Sequence, residues 1–445
     1  MTNAWWTKYL PQIVREWLHG RQVLQKTIGN TGWLLFDRIF RMIVGLTIGA
    51  WVARYLGPSQ FGELAYAISY IAFFQVVANL EADGFIVRDI AQERGVPSVI
   101  LGTALWLRLI IGASAWLCSC GLMFILHPNE TQLHILIAIV GGTMIFQPAE
   151  VVDLWFQSQS QSKRTVLAKF VAYLFSNSIK VVLLITKAPL VSFAGVMCLE
   201  VGAFAFSLTI AYRRFPTQKR WSVSLDQAKS LLYLCWPFIF SSLMITTFMR
   251  IDQIMLKEML GEKELGIFAA ALPISNVWAV IPTTMVISLA PFLAKKMQQN
   301  ENEYNSELVK IFRLFAIVSL LGALLTAAAS PFIVKLIYGI QYQSTAAILS
   351  TYVFVNVFIF QGIAQSLWVV NHNIRSVTMI GTFLAAIIGI FSNAVMIKKF
   401  GVIGAAYSVI LTQCASVVVL PCLLRKDLRH LYIRAFTPIN QLGKP

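Results

Sequence analysis

Apolar runs of about 20 residues recur along the whole chain, separated by short polar or charged stretches. An α-helix of that length crosses a hydrocarbon layer about 30 Å thick. The pattern predicts spans over 31–53, 64–82, 104–126, 132–155, 166–186, 190–212, 231–256, 266–290, 311–338, 345–369, 377–397 and 401–424. The expected fold class is an all-α membrane protein with about 12 transmembrane helices.

Composition supports this reading. Of 445 residues, 57% are hydrophobic and only 13% charged, about half the charged fraction of a soluble protein. Residues 1–30 carry Trp5, Trp6, Arg15, Glu16 and Arg21 and no apolar core, so they read as a cytoplasmic leader rather than a cleavable signal.

The net charge of +16 would suggest a nucleic-acid partner in a soluble protein. In a membrane protein, lysine and arginine accumulate in cytoplasmic segments. With the N-terminus inside, those segments hold 24 of the 36 cations, and the outer segments hold six: Arg54, Lys187, Lys257, Lys263, Lys398 and Lys399. The remaining six lie within spans. Both termini are therefore expected in the cytoplasm, and no nucleic acid is expected as a partner. The six cysteines form no CxxC pair, and the five histidines do not cluster with carboxylates or cysteines along the sequence. No metal site and no cofactor is expected.

The chain reads as a duplication. Residues 56–71, LGPSQFGELAYAISYI, pair with 260–275, LGEKELGIFAAALPIS, at an offset of 204; Leu56, Gly57, Gly62, Ala65 and Ala67 match Leu260, Gly261, Gly266, Ala269 and Ala271. Leu154-Trp155 pairs with Leu367-Trp368, and Gly195 with Gly404, at similar offsets. Six spans is an even number, so both halves enter from one side and form parallel repeats around a central cavity, an arrangement that transporters use for alternating access. The expected division is an N-terminal bundle over 31–212, a solvated cytoplasmic linker over 213–230, a C-terminal bundle over 231–424 and a cytoplasmic tail over 425–445. Outer loops are too short for the catalytic domain of a polymerase or ligase, and no GxxxxGK[ST] cradle is present. The chain is not expected to be an enzyme.

Ionisable groups inside spans are costly, roughly 2.5–3.5 kcal/mol at the centre, and mark cavities or partners. Asp37 and Arg41 stand four apart on span 1 and can pair, which leaves Arg38 as net positive charge. Glu200 in span 6 has no basic neighbour on its own helix; Lys180 in span 5 is one candidate partner, and protonation is the alternative. Arg250 and Asp252 lie near the outer end of span 7, two apart and so on different faces. Arg108 and Lys335, near span ends, are expected to snorkel. Asp153, Glu81 and Asp83 are expected to be solvated at cytoplasmic ends. In-span cations outnumber clear in-span anions, which favours anionic cargo. Asp37 falls opposite Ser241 and Arg41 opposite Ile245 in the repeat, so the cavity should be asymmetric.

The stretch Ala50–Ala91, with RYLGPSQFG and DGFIVRDIA, resembles the first repeat of Wzx-type flippases, polysaccharide transporters of the multidrug/oligosaccharidyl-lipid/polysaccharide superfamily. RIDQIMLKEMLGEKELGIFAAALPIS at 250–275, Pro273, Pro282 and SLAPFLAKK at 288–296 are similar to the matching second-half segments. The resemblance implies a flippase for undecaprenyl-pyrophosphate-linked O-antigen or capsule repeat units in the bacterial inner membrane. It also implies partners: the lipid-linked oligosaccharide substrate, the membrane, and a polysaccharide polymerase with its chain-length regulator. Asp37, Arg38, Arg41, Lys180, Arg250 and Asp252 are the candidates for the substrate path, and Glu200 and Asp37 for ion coupling. The alternative is a cation-coupled multidrug exporter of the same superfamily, which would favour an excess of buried carboxylates.

Overall fold

A computed structural model describes residues 22–159, 161, 163–217, 220–372 and 374–437, with side chains from Ile39 onward except at 163 and 375–379. Residues 1–21 of the expected leader and 438–445 of the expected tail lie outside the described residues. From Gln22 the chain is already helical, nine residues before the predicted start of span 1.

Every regular element among the described residues is a helix. In order these are α1 (Gln22–Asn79), α2 (Asp83–Ala91), α3 (Pro97–Leu126), α4 (Thr131–Gly141), α5 (Thr143–Phe146), α6 (Val151–Ser158), α7 (Lys163–Ile185) and α8 (Leu190–Arg214). The second half continues with α9 (Leu225–Leu260), α10 (Glu262–Asn276), α11 (Val280–Gln299), α12 (Glu301–Tyr338), α13 (Thr345–Tyr352) and α14 (Val355–Asn371). It ends with α15 (Arg375–Phe400), α16 (Val402–Cys414), α17 (Leu420–Leu424) and α18 (Lys426–Phe436). The structure divides into two compact units, one ending at Gly49 and the other beginning at Ala50. Spans 2–12 of both expected bundles therefore belong to a single unit.

Among the described residues, eleven helical runs are long and apolar enough to cross a membrane. The first, Ile39–Ala91, has 53 residues, or about 80 Å of helix, enough for two crossings. It therefore holds spans 1 and 2, which accounts for the difference between eleven runs and twelve spans. Large apolar side chains such as Leu117, Ile125, Phe206, Phe332 and Phe391 are mostly exposed, the inverse of a soluble protein and the surface that lipid tails would cover.

Spans 1 and 2 meet at Gly57, where φ is +72°, and spans 7 and 8 meet at the repeat-equivalent Gly261, where φ is +96°. The predicted outer loops over 54–63 and 257–265 are thus single-residue reversals. Glycine alone takes this backbone without strain, and Pro58 pre-sets the φ of the returning helix. We call this side of the molecule the turn end, and the side carrying residues 213–230 the linker end.

The two halves touch most closely at the turn end. A Cβ built on Gly62 would fall inside 3.0 Å of the Glu262 carbonyl oxygen, and one built on Gly266 inside 3.0 Å of the Pro58 carbonyl oxygen. Glu262 lies four residues before Gly266 and Pro58 four before Gly62, so the contact is symmetric. Two repeat-equivalent helices cross backbone to backbone, as small residues permit in membrane helix pairs.

At the linker end, Cys235 and Ile239 of span 7 pack against Leu80, Ile86, Ile100 and Leu101, and Phe85 meets Phe238 edge to face at 5.2 Å. The linker is pinned at several points, while its described cations Arg213, Arg214, Arg220 and Lys229 stay exposed. Ser222 N donates to Ser98 O at 3.3 Å, Ser224 N donates to the Thr103 hydroxyl at 3.0 Å, and Trp221 packs against both the cluster around Cys235 and a second one within the first half. Hydropathy registers the linker's five cations but not the tryptophan's partners. The tail segment α18 also packs back, burying Leu428, Leu431 and Tyr432, while Arg313 donates to the Arg434, Ala435 and Thr437 carbonyls at its end.

Replacing Gly62 or Gly266 by alanine should part the crossing, since overpacking such a contact costs about 1–3 kcal/mol. Cysteines placed at Ser69 and Gln253, in a background without the native cysteines, should be joined by a short bis-maleimide in the parent and poorly in either alanine variant. Cross-linking at an unchanged rate in both would show that the crossing does not set the seam.

Candidate functional site

The candidate path residues fall into separate groups. The side chains of Asp37 and Arg38 lie outside the described residues, and the half-buried Arg41 belongs to the first unit. In the second unit, Lys180 Nζ of α7 stands 3.5 Å from Glu200 Oε2 of α8, and the Ser176 hydroxyl donates to the same oxygen at 2.5 Å. Glu200 is therefore held across two helices. Arg250 is half-buried and Asp252 is buried on α9, where the Asp252 carboxylate accepts from the backbone N–H of Gln253 at 2.8 Å. Among the described residues Arg250 makes no ion pair, and no hydrogen bond or ion pair links it or Asp252 to Lys180 or Glu200.

Beside the glycine crossing lies a polar cluster that spacing along the chain did not reveal. Glu130 ends the tight turn between α3 and α4, and Lys257 sits in the last turn of α9. Lys257 Nζ donates to both Glu130 oxygens at 3.0 and 2.9 Å and lies 5.0 Å over the Tyr66 ring. The anion adjoins a helix N-terminus and the cation a helix C-terminus, so each is favoured by its own helix dipole. Glu258 Oε1 accepts from the Tyr66 hydroxyl at 2.7 Å and faces His127 Nε2 at 3.1 Å. His127 Nδ1 faces Glu130 Oε1 at 2.9 Å. Both ring nitrogens thus face carboxylate oxygens.

A second layer follows: the Ser69 hydroxyl donates to Gln253 Oε1 at 2.8 Å, buried on both sides. Tyr66, Ser69, His127 and Glu130 come from the first half, Gln253, Lys257 and Glu258 from the second. The cluster is an interlock between halves. Lys257 keeps only 6% of its side-chain exposure against 38% for Glu130, so losing Glu130 would strand the buried cation and cost about 1.5–3 kcal/mol. Burial acts to raise the Glu130 carboxyl, but the hydrogen bonds and charge of Lys257, together with His127, outweigh it and hold the group below its ordinary value.

Several expectations need correction. Histidine does cluster with carboxylates: His127 stands between Glu130 and Glu258, the latter 131 residues away along the chain. Arg108 does not snorkel. It is 3% exposed and its guanidinium pairs with Asp83 at the start of α2, which neutralises the cation in place. Asp153 is not solvated either; it is buried, and Lys169 reaches it at 3.0 Å. The one signal that pointed to the interlock was the Gly62–Gly266 repeat match, because bare glycines on equivalent helices permit close approach.

Spans 4 and 10 are both interrupted, span 4 at Gly142 and again at a tight turn of helix at Gln147–Glu150 containing Pro148, and span 10 between Tyr352 and Val355, the place that matches Gly142 in the repeat. In span 10 the Asn356 amide donates to the freed Val353 carbonyl at 3.0 Å and to the Ser275 hydroxyl at 2.8 Å. Breaks at corresponding places in two repeats are typical of transporters that build sites near the membrane midplane.

Among solved structures, the chain is similar to lipid II flippase MurJ in an inward closed conformation, with a TM-score of 0.74 at 12% identity over 90% of each chain. It is similar to an inward-facing multidrug resistance MATE family transporter of the MOP superfamily, with a TM-score of 0.71 at 15% identity over 88% of this chain and 95% of that one. Against an outward-facing conformation of such a transporter the TM-score is 0.55, at 15% identity over 90% of this chain and 95% of that one. No curated protein sequence matches the chain. The model of one protein family matches residues 28–297, more than half the chain and including both segments that carry the repeat, and by that match the chain belongs to the polysaccharide biosynthesis protein family.

Proposed function

We propose that the protein is a flippase that carries undecaprenyl-pyrophosphate-linked oligosaccharides, O-antigen or capsule repeat units, from the cytoplasmic to the periplasmic face of the inner membrane. In this reading the linker end faces the cytoplasm, as the 24-to-6 division of cations favours, and both termini lie there. The observation that carries the reading is the seam at the turn end. Two parallel halves are clamped on one side by the glycine crossing and the Lys257–Glu130 interlock, which is what alternating access requires of a state closed to the outside.

Charge supports the cargo class. Arg108 and Lys180 are neutralised by Asp83 and Glu200, while Arg250 keeps no carboxylate partner among the described residues. By sequence, Arg38 and Arg41 of span 1 add further in-span cations, a bias suited to a diphosphate. Asp37 and Asp252 complete the proposed path, and Lys180 joins it when its pair with Glu200 opens. Glu200, or Asp37, would couple transport to an ion. A multidrug exporter of cationic compounds has less support, because the in-span excess is of the wrong sign.

Loss of the protein from its host should leave lipid-linked repeat units on the cytoplasmic face and remove surface polysaccharide. The parent should restore it, and Arg41→Ala or Arg250→Ala should not, at equal membrane levels. Unchanged surface polysaccharide after loss of the protein would sink the proposal. For Glu200→Gln, transport that keeps its full pH dependence would remove Glu200 as the coupling group.

The interlock should set how often the turn end opens. A cysteine at the buried Ser69 should react slowly with an impermeant maleimide from outside, and at least about tenfold faster with Lys257→Met, as expected when a charged hydrogen bond is removed. Because the Glu130 carboxyl is lowered from 4.5, its contribution is present above that pH and is lost only as the pH falls through the lowered value. Labelling should therefore stay slow from neutrality down to about pH 4.5 and quicken below it. Quickening that begins well above this range would mean that another group controls the seam.

A further inference from the structure

We infer that a groove at the turn end, between the close of span 1 and span 5, docks the diphosphate headgroup of a membrane lipid. The inference rests on the flippase reading and gives it a place where the cargo's phosphates are held on the far side. The groove has a volume of about 500 Å³ and is lined by Trp51, Arg54, Tyr55, Val181, Leu184 and Ile185. Its walls are tied in place. The Tyr55 hydroxyl donates to the Ala188 carbonyl at 3.0 Å, the Arg54 carbonyl accepts from the Gln341 amide, and the Ala53 carbonyl accepts from the Tyr342 hydroxyl at 2.9 Å.

One cation, Arg54, lines the groove, and a second, Lys187, is next in the chain to Ala188, whose carbonyl the groove's Tyr55 holds. Arg54 is exposed, with its guanidinium against the bare Gly339, and it makes no ion pair or side-chain hydrogen bond among the described residues. Lys187 is likewise exposed and without an ion pair among them. It lies two residues past Ile185 and next to the Ala188 that Tyr55 holds. Its φ is +54°, in the left-handed region that glycine occupies most easily, yet the chain keeps a long cation there. The dipole of α7 favours one cation at its C-terminus but does not account for a second contributed by another helix. Nor does an aromatic belt at the interface account for a cleft between helices. On this cation-poor side, Lys257 is consumed by the interlock. Glu258 occupies the repeat position of Arg54, so one half spends this position on the seam and the other on the groove.

The chemistry selects the ligand. Two cations with no carboxylate paired to them suit a group of two or more negative charges, whereas a phosphodiester headgroup carries one. Half-exposed Trp51 and exposed Ile185 continue the wall onto the lipid-facing surface, so the lipid chain can leave the groove into the bilayer.

The test is native mass spectrometry of the purified full-length protein titrated with undecaprenyl diphosphate and, separately, phosphatidylglycerol. The double variant Arg54→Gln/Lys187→Gln should weaken undecaprenyl diphosphate by about tenfold or more, the scale of about 1.4 kcal/mol, and leave phosphatidylglycerol unchanged. Arg54→Lys/Lys187→Arg should retain binding, and Lys398→Gln/Lys399→Gln, at another turn, should not alter it. An unchanged diphosphate affinity in the glutamine variant overturns the groove alone. Equal weakening of both lipids overturns the diphosphate assignment in favour of a general anionic-lipid surface. Absence of diphosphate binding by the parent protein refutes the flippase reading itself.

Discussion

Two bare backbones in contact are the constraint on which the closed seam depends. At Gly62 and Gly266 there is no room for a side chain on either helix. Only because these helices lie so close can Tyr66 reach Glu258, Ser69 reach Gln253, and Lys257 reach Glu130. The same approach carries Tyr342 and Gln341 onto the carbonyls of Ala53 and Arg54. Each polar contact is modest alone; the crossing makes them simultaneous.

Backbone and side chains obey the repeat differently. The glycines at 57 and 261, and at 62 and 266, keep equivalent roles in the two halves. The chemistry beside them does not: Tyr66 stands opposite Ala270, Ser69 opposite Pro273 and Lys257 opposite Ala53. A symmetric scaffold thus supports a one-sided arrangement of charge. That is the pattern expected of a carrier whose two halves must move alike while binding a cargo with one polar end.

The spans, the duplication and the small outer turns were legible from residues alone, because hydropathy and glycine spacing are local properties. The partners of Trp221, Arg108 and His127 were not. A hydropathy window shows Arg108 near a span end but not that Asp83, on another helix, stands against it. Likewise nothing near His127 in sequence predicts a carboxylate 131 residues away. The match of Gly62 to Gly266 was visible, but their contact was not: similarity says that two positions are equivalent, not that they meet. For Lys180 and Glu200, membrane thermodynamics demanded a partner, and the nearest cation on the neighbouring helix stands 3.5 Å away.

In the proposed alternating access, a crossing this tight at one extremity would act as a fulcrum whenever it stays closed. Through a hydrocarbon layer about 30 Å deep, a rotation of about 10° about the glycine pair would displace the opposite extremity by about 5 Å, while the glycines themselves slide by a fraction of that. Leverage of this kind turns a small loosening at the pivot into a wide stroke elsewhere. Pro237 lies between Cys235 and Phe238, the residues that hold the first turns of span 7 against the other half. A proline at that place weakens the helix ladder and supplies a flexure, so the stroke need not tear span 7 from its anchorage.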